Sequence, residues 1–187
     1  IDRDDIWGPS FALPFNFCFF GTNYTSLQVG SNGVLTFTPQ NAGCPWNTDP
    51  NVNVPNVNFP IKNAIYGVYQ DIDPSVATPV LHTINYQVLG TAPCRTFVVN
   101  FVNIAQFSCQ LNGELQTSQI VLYETSNNIE VYIKDRVPCL SWNEGSGVVG
   151  IQNAAGTLGY TPPGRNLGTW TARNEAWRFK PTGASNV

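Results

Sequence analysis

The chain has 187 residues, a formal charge of −3 and only 11% Asp, Glu, Lys and Arg. Its few Lys and Arg are scattered, so it presents no electrostatic footprint for nucleic acid or for an anionic membrane surface. No stretch approaches the roughly 20 apolar residues of a membrane helix, and no basic-then-apolar leader stands at Ile1, so a soluble fragment is expected, whose leader has been removed or was never part of it.

Period-two alternation begins early: Leu13, Phe15, Phe17 and Phe19 alternate with Pro14, Asn16 and Cys18, as in a strand with one face on a core. "SLQVG" and "GVLTF" then flank Ser31-Asn32-Gly33, and Asn-Gly between apolar runs is a strong hairpin signal. From about Thr38 to Lys62, Pro and Asn break the pattern. A loop of this length is either functional or a packed crossover between two sheets. Strands resume with "NAIYGVYQDID", read as one buried strand ending in Asp71 and Asp73, and with "HTINYQVLG", where Ile84, Tyr86 and Val88 share a face. "RTFVVNFVNI" is apolar on both faces and therefore central, and "GTAPC" joins it to the preceding strand as a hairpin. "TSQIVLYETSNNIEVYIKD" forms a further hairpin turning at Ser126-Asn127-Asn128. The chain closes with "GSGVVGIQNAAG" and with "EAWRFKP", which puts Trp177 and Phe179 on one face, Trp177 in the core. About ten short strands with long loops describe an all-β, antiparallel, jelly-roll-like sandwich over residues 1–183, with 184–187 the start of a linker.

The chemistry is mostly exclusion. The single histidine, His82, sits just before the "TINYQVLG" strand with nothing like a nucleophile elbow nearby, so a Ser-His-Asp or Cys-His engine is not expected, and the same count excludes a histidine-rich zinc site. Of the carboxylates that could form a glycosidase pair, Asp71, Asp73, Glu114, Glu124, Glu130, Asp135, Glu144 and Glu175, most fall at turns or on the solvent phase of a strand, so such a pair is not expected. Non-catalytic function is the expectation. Trp46, Trp142 and Trp170, together with Tyr160, are the ligand-binding candidates; the three tryptophans sit in loop settings beside Asn, Gly and Pro. Such rings either stack on sugars or protein surfaces or merely cap the sandwich ends.

Five cysteines, Cys18, Cys44, Cys94, Cys109 and Cys139, lack any C-x-x-C pair. Disulfides and export are expected, the competing reading being five buried, reduced thiols. Cys109 and Cys139 each follow a strand in an up-down-up run, so both emerge at one sheet end and are expected to bridge. Cys18, out of phase with the phenylalanines, is expected to pair with Cys44 or Cys94. Asn23-Tyr24-Thr25 is a glycosylation sequon, consistent with surface exposure. Asp71 and Asp73, two apart on one strand, would share a face within about 7 Å. Two readings of them stay open. Either Asp73 caps the turn into Pro74 while Asp71 bonds a backbone amide, or the pair binds calcium with loop carbonyls or Asp4 and Asp5 completing the shell.

The strings "LPFNFCFFGTNYTSLQVGSNGVLTF", "NAIYGVYQDIDPS", "INYQVLGTAPCRTFVVNFVNI", "QIVLYETSNNIEVYIKD", "GVVGIQNAAGT" and "AWRFKPTG" together resemble modules of large secreted or surface-attached Bacteroidetes proteins, including gliding-motility adhesins and cargo of type IX secretion. The early part also resembles the nidogen-type extracellular domain, in which a strand ending "F-x-F-F-G" leads to an "N-G" hairpin and an acidic "D-x-D" strand. The resemblance spans about Asp4 to Gly183. It implies a β-rich, non-catalytic, extracellular adhesion or binding module that contacts a glycan or a surface protein and is joined to further domains of its polypeptide, without nucleic-acid partners or membrane insertion. A structural spacer, or less readily a carbohydrate-active enzyme domain, are the alternatives. The positions it matches are Asn32, Gly33, Asp71, Asp73 and the cysteines of "CPW", "APCR", "FSC" and "VPCLSW".

Overall fold

A computed structural model describes residues 1–49, 51–110 and 115–183. Their thirteen strands make two antiparallel sheets. In the first sheet the order is β1 (Phe11–Phe19), β2 (Thr22–Gly30), β3 (Val34–Thr36), β4 (Ala64–Tyr69), β10 (Ser146–Gln152) and β11 (Gly159–Tyr160), with β12 (Asn166–Thr169) also paired to β10. In the second it is β13 (Ala172–Phe179), β9 (Ile129–Arg136), β8 (Leu115–Tyr123) and β7 (Thr96–Gln106), whose far side carries both β5 (Ile72–Asp73) and β6 (Thr83–Leu89). Among the described residues there is no α-helix, and the longest helical piece is the 3-10 turn Asn143–Gly145. The all-β sandwich is therefore as the alternation predicts. Strands adjacent in sequence are neighbours in the sheet, β1 to β4 in one and β6 to β9 in the other, in place of the two Greek keys of a jelly roll.

Alternation explains the main core. Phe15, Phe17 and Phe19 of β1, Leu27 and Val29 of β2, and Leu35 and Ile65 face Phe97, Val99 and Phe101 of β7 and Ile120 and Leu122 of β8. β1 and β2 are joined by a two-residue turn with positive φ at Phe20 (47°) and Gly21 (82°), the geometry whose twist matches paired strands. The segment between β3 and β4 links neighbours of one sheet and is no crossover between sheets. Cys44, Val54, Phe59 and Ile61 pack with Val34, Ala64, Tyr66 and Val148, the opposite phase to Leu35 and Ile65, so this segment covers the outer face of the first sheet.

Three expectations change. β6 is buried only at Ile84; Tyr86 and Val88 are exposed because β6 edges the open side of the sandwich, where Tyr86 lies 4.4 Å from Phe11 of β1. Trp177 is half-buried against a small cluster around Val131 and Ile133. Glu130, assigned to solvent, is buried on the outer face of the second sheet under Tyr123, Tyr132 and Arg178. Glu114 and the expected linker at 184–187 lie outside the described residues.

Candidate functional site

Sequence reading made "NAIYGVYQDID" one strand, but the chain changes sheets within it. β4 ends at Tyr69 in the first sheet, Gln70 and Asp71 cross, and β5 pairs with Gln106 and Ala105 in the second. The crossing passes beside the β2–β3 turn. Gly30 pairs with Val34, leaving Ser31, Asn32 and Gly33 as a fully buried three-residue loop. Gly33 is required there: its φ is +75° and an added Cβ would lie 2.2 Å from Val68 O. Asn32 ties three segments together. Its Nδ2 donates to Asp5 Oδ1 (2.8 Å) and to Pro45 O (3.1 Å), and its Oδ1 accepts from Ile72 N (3.1 Å).

This clamp gathers acids. One carboxylate oxygen each from Asp4, Asp5 and Asp71 lies within 4.8 Å of the others, the one such group among the described residues. Asp71 is 9% exposed; its Oδ2 accepts from Trp142 Nε1 (2.7 Å), while its Oδ1 is buried with no partner. Burial pushes the Asp71 carboxyl up to about 7; the Trp142 bond opposes this and the charges of Asp5, Asp4 and Asp73 add to it. Asp4 is raised to about 6 by burial and by Asp5 and Asp73. The ion pairs of the described residues, at Glu124, Glu175, Asp135 and Glu130, all lie elsewhere.

An aromatic surface adjoins the acids. Trp142 lies 4.8 Å from Phe107 and 5.5 Å from Trp46, which is 36% exposed. The Cys109–Cys139 disulfide (Cα–Cα 5.8 Å) fixes this loop: Trp142 N donates to Cys139 O (3.2 Å), and Gln106 Nε2 donates to Val137 O (2.5 Å). Acids, tryptophans and disulfide thus share one end of the sandwich.

The model of the NIDO-related family matches residues 1–184. The chain belongs to the nidogen-related family. No curated protein and no solved structure matches it significantly. A nidogen-related domain with a disulfide fits an extracellular binding or structural module. No helix of the described residues is long and apolar enough to cross a membrane.

Within the nidogen-related domain the predicted site residues divide. Trp46 and Trp142 come together beside Asp71. Trp170 does not join them: it is 7% exposed, with its ring bracketed by Arg136 (3.8 Å) and Arg165 (4.6 Å) and its Nε1 donating to Gly147 O. It is core, not contact surface. Tyr160 is 61% exposed but stacks on Phe20 at the opposite end, where β11 pairs with Ile151 and Gln152. Asp71 lies just outside β5, which holds Asp73; Asp73 Oδ1 accepts from Ser75 N (2.9 Å) and Oγ (2.5 Å), the turn cap at Pro74. Asp71 bonds an indole and not a backbone amide.

The Cys109–Cys139 bridge forms as expected, whereas Cys18, Cys44 and Cys94 are free. Cys18 pairs with Asn23 at one end of β2, and an added Cβ at Gly30, the other end, would lie 2.6 Å from Cys44 Sγ. Seven residues at about 3.3 Å each separate those ends by roughly 23 Å. Burial pushes the Cys44 thiol up to about 12, leaving it unreactive. Cys94 is exposed on the β6–β7 loop. Sequence reading assigned Asn32 to a turn and missed it as the clamp; the cue was an Asn-Gly turn followed by a second acid-rich segment, which no local pattern connects.

Proposed function

We propose that this nidogen-related domain is a non-catalytic binding module of a large bacterial secreted or surface protein, and that it contacts polysaccharide or another surface protein through the Trp46–Trp142 end of the sandwich. The observation that carries this reading is the exposed Trp46 ring 5.5 Å from Trp142, itself fixed by Asp71 and by the disulfide loop. A pre-oriented aromatic pair beside carboxylates is the equipment for stacking on sugar C–H faces while accepting hydroxyl hydrogen bonds. The resemblance to adhesin modules supports the same reading and the gliding and type IX secretion context.

A glycan array with the purified domain tests it. Preferential binding to a class of sugars, reduced at least tenfold by Trp46→Ala with an unchanged melting temperature, is the expected result. Trp170→Ala should instead destabilise the fold by about 3–5 kcal/mol, the usual loss for a buried Trp. Absence of binding to glycans and to surface extracts would favour a spacer, and shortening of a polysaccharide on incubation would favour an enzyme.

A further inference from the structure

We propose that Asp4, Asp5 and Asp71 form a calcium site that joins the N-terminal segment to the sheet crossing. The site is defined by the placement of these carboxylates, whatever the aromatic surface binds. Two oxygens on one calcium ion, each at 2.3–2.6 Å, are separated by at most about 4.6–5.2 Å. The three carboxylates already meet this limit, since their oxygens lie within 4.8 Å of one another. Magnesium, at about 2.0–2.1 Å, would draw opposed oxygens to about 4.2 Å and requires near-ideal octahedral geometry.

The second observation is independent of the clustering. Asp71 is nine-tenths buried, and its Oδ1 has no donor, while its Oδ2 is held by Trp142. A buried carboxylate oxygen without a partner is costly in a protein interior. Here the neighbours are further acids, with Asp5 turned toward the cluster by Asn32 (2.8 Å) and none of the four ion pairs of the described residues reaching it. A hard cation satisfies the orphaned oxygen and the mutual repulsion together. Asp73 is not in the group whose oxygens approach within 4.8 Å, and its Oδ1 is held by Ser75.

The bond from Trp142 to Asp71 supplies the assay. Terbium, a calcium surrogate, is added to the chelator-treated domain and excited through tryptophan. Saturable sensitised emission, displaced by calcium chloride, is expected, together with one-to-one calcium binding by calorimetry in the range of extracellular modules, about 10⁻⁴–10⁻³ M. Asp71→Asn and the more exposed Asp4→Asn should each weaken calcium at least tenfold while the far-ultraviolet spectrum is kept. Asp73→Asn, which removes a nearby charge but no ligand, should weaken calcium less than either. Trp142→Phe should reduce the terbium emission but retain the calorimetric signal. Absence of calcium heat with the wild type, undiminished binding by Asp71→Asn and Asp4→Asn, or magnesium bound as tightly as calcium would each overturn the assignment. The glycan result bears on none of these outcomes.

Discussion

Asn32 separates two explanations of the same sequence motif. If it serves only to turn the β2–β3 hairpin, Asp is an equivalent residue, because Asp-Gly is as good a hairpin signal as Asn-Gly. If it serves as the clamp seen here, its amide must both donate and accept, and Asp cannot. Asn32→Ala removes the acceptor of the buried Ile72 N–H, worth about 1–3 kcal/mol, and a donor to the Asp5 carboxylate, worth about 1.5–3 kcal/mol. The expected loss is about 3–5 kcal/mol, or roughly 6–20 °C in melting temperature for a domain of this size. Asn32→Asp keeps the acceptor but sets a carboxylate against Asp5. Two unit charges about 3 Å apart repel by about 5 kcal/mol at an effective dielectric constant of ~20, so one must be neutralised at a cost. This variant is expected to be at least as destabilised as Asn32→Ala. Urea unfolding in the presence of a chelator gives both values. Stability of Asn32→Asp within 1 kcal/mol of wild type would refute the clamp and return Asn32 to a turn-forming role.

Two further outcomes follow from the structure. Replacing both Cys109 and Cys139 by Ala opens a loop of 30 residues, for which the chain-entropy estimate is about 3.6 kcal/mol; calorimetric melts should drop by roughly 7–14 °C, and the denatured, unreduced wild type should titrate three thiols. For Glu130, burial raises the carboxyl but bonds from Tyr123, Tyr132 and Arg178 outweigh it and hold it below the ordinary 4.5. The folded state therefore binds this proton less readily than the unfolded chain, and the contribution is full above about 4.5 and lost as pH falls through the lowered folded value. Glu130→Gln should be less stable than wild type at pH 7, with the gap narrowing below pH 4.5; a gap that is constant from pH 7 to 3 would contradict this.

Much of the fold was legible because a half-buried strand has one signature, period two, which local sequence carries in full. Phe15, Phe17 and Phe19 and the three hairpins could be read in this way. The sheet crossing at Gln70 and Asp71 could not, since an extended chain keeps its alternation when it leaves one sheet for another, and nothing local marks the change. That step hid which acids meet: Asp71 and Asp73 are close in sequence, but Asp4 and Asp5 are the ones brought to Asp71. Trp170 was misread for a related reason. Its loop neighbours suggest exposure, whereas the guanidinium groups that bury it come from Arg136, at the end of β9, and Arg165, just ahead of β12.

The same long-range assembly explains why the acidic cluster and the aromatic surface are best treated as one unit. Asp71 belongs to both: its Oδ2 accepts from Trp142, its Oδ1 is buried without a partner, and one of its oxygens lies within 4.8 Å of oxygens of Asp4 and Asp5. Displacement of this carboxylate toward Asp4 and Asp5 acts on Trp142 through a single 2.7 Å bond, and Trp142 in turn contacts Trp46. The two functions of Asp71 can be separated by substitution. Asparagine removes the charge yet keeps an oxygen able to accept from the indole, whereas leucine removes both. Loss of the Trp46–Trp142 arrangement, read by tryptophan fluorescence, should therefore be greater in Asp71→Leu than in Asp71→Asn. Equal spectra for the two variants would mean that the disulfide loop alone orients Trp142, and that the acids and the aromatic surface share an end of the sandwich without acting on one another.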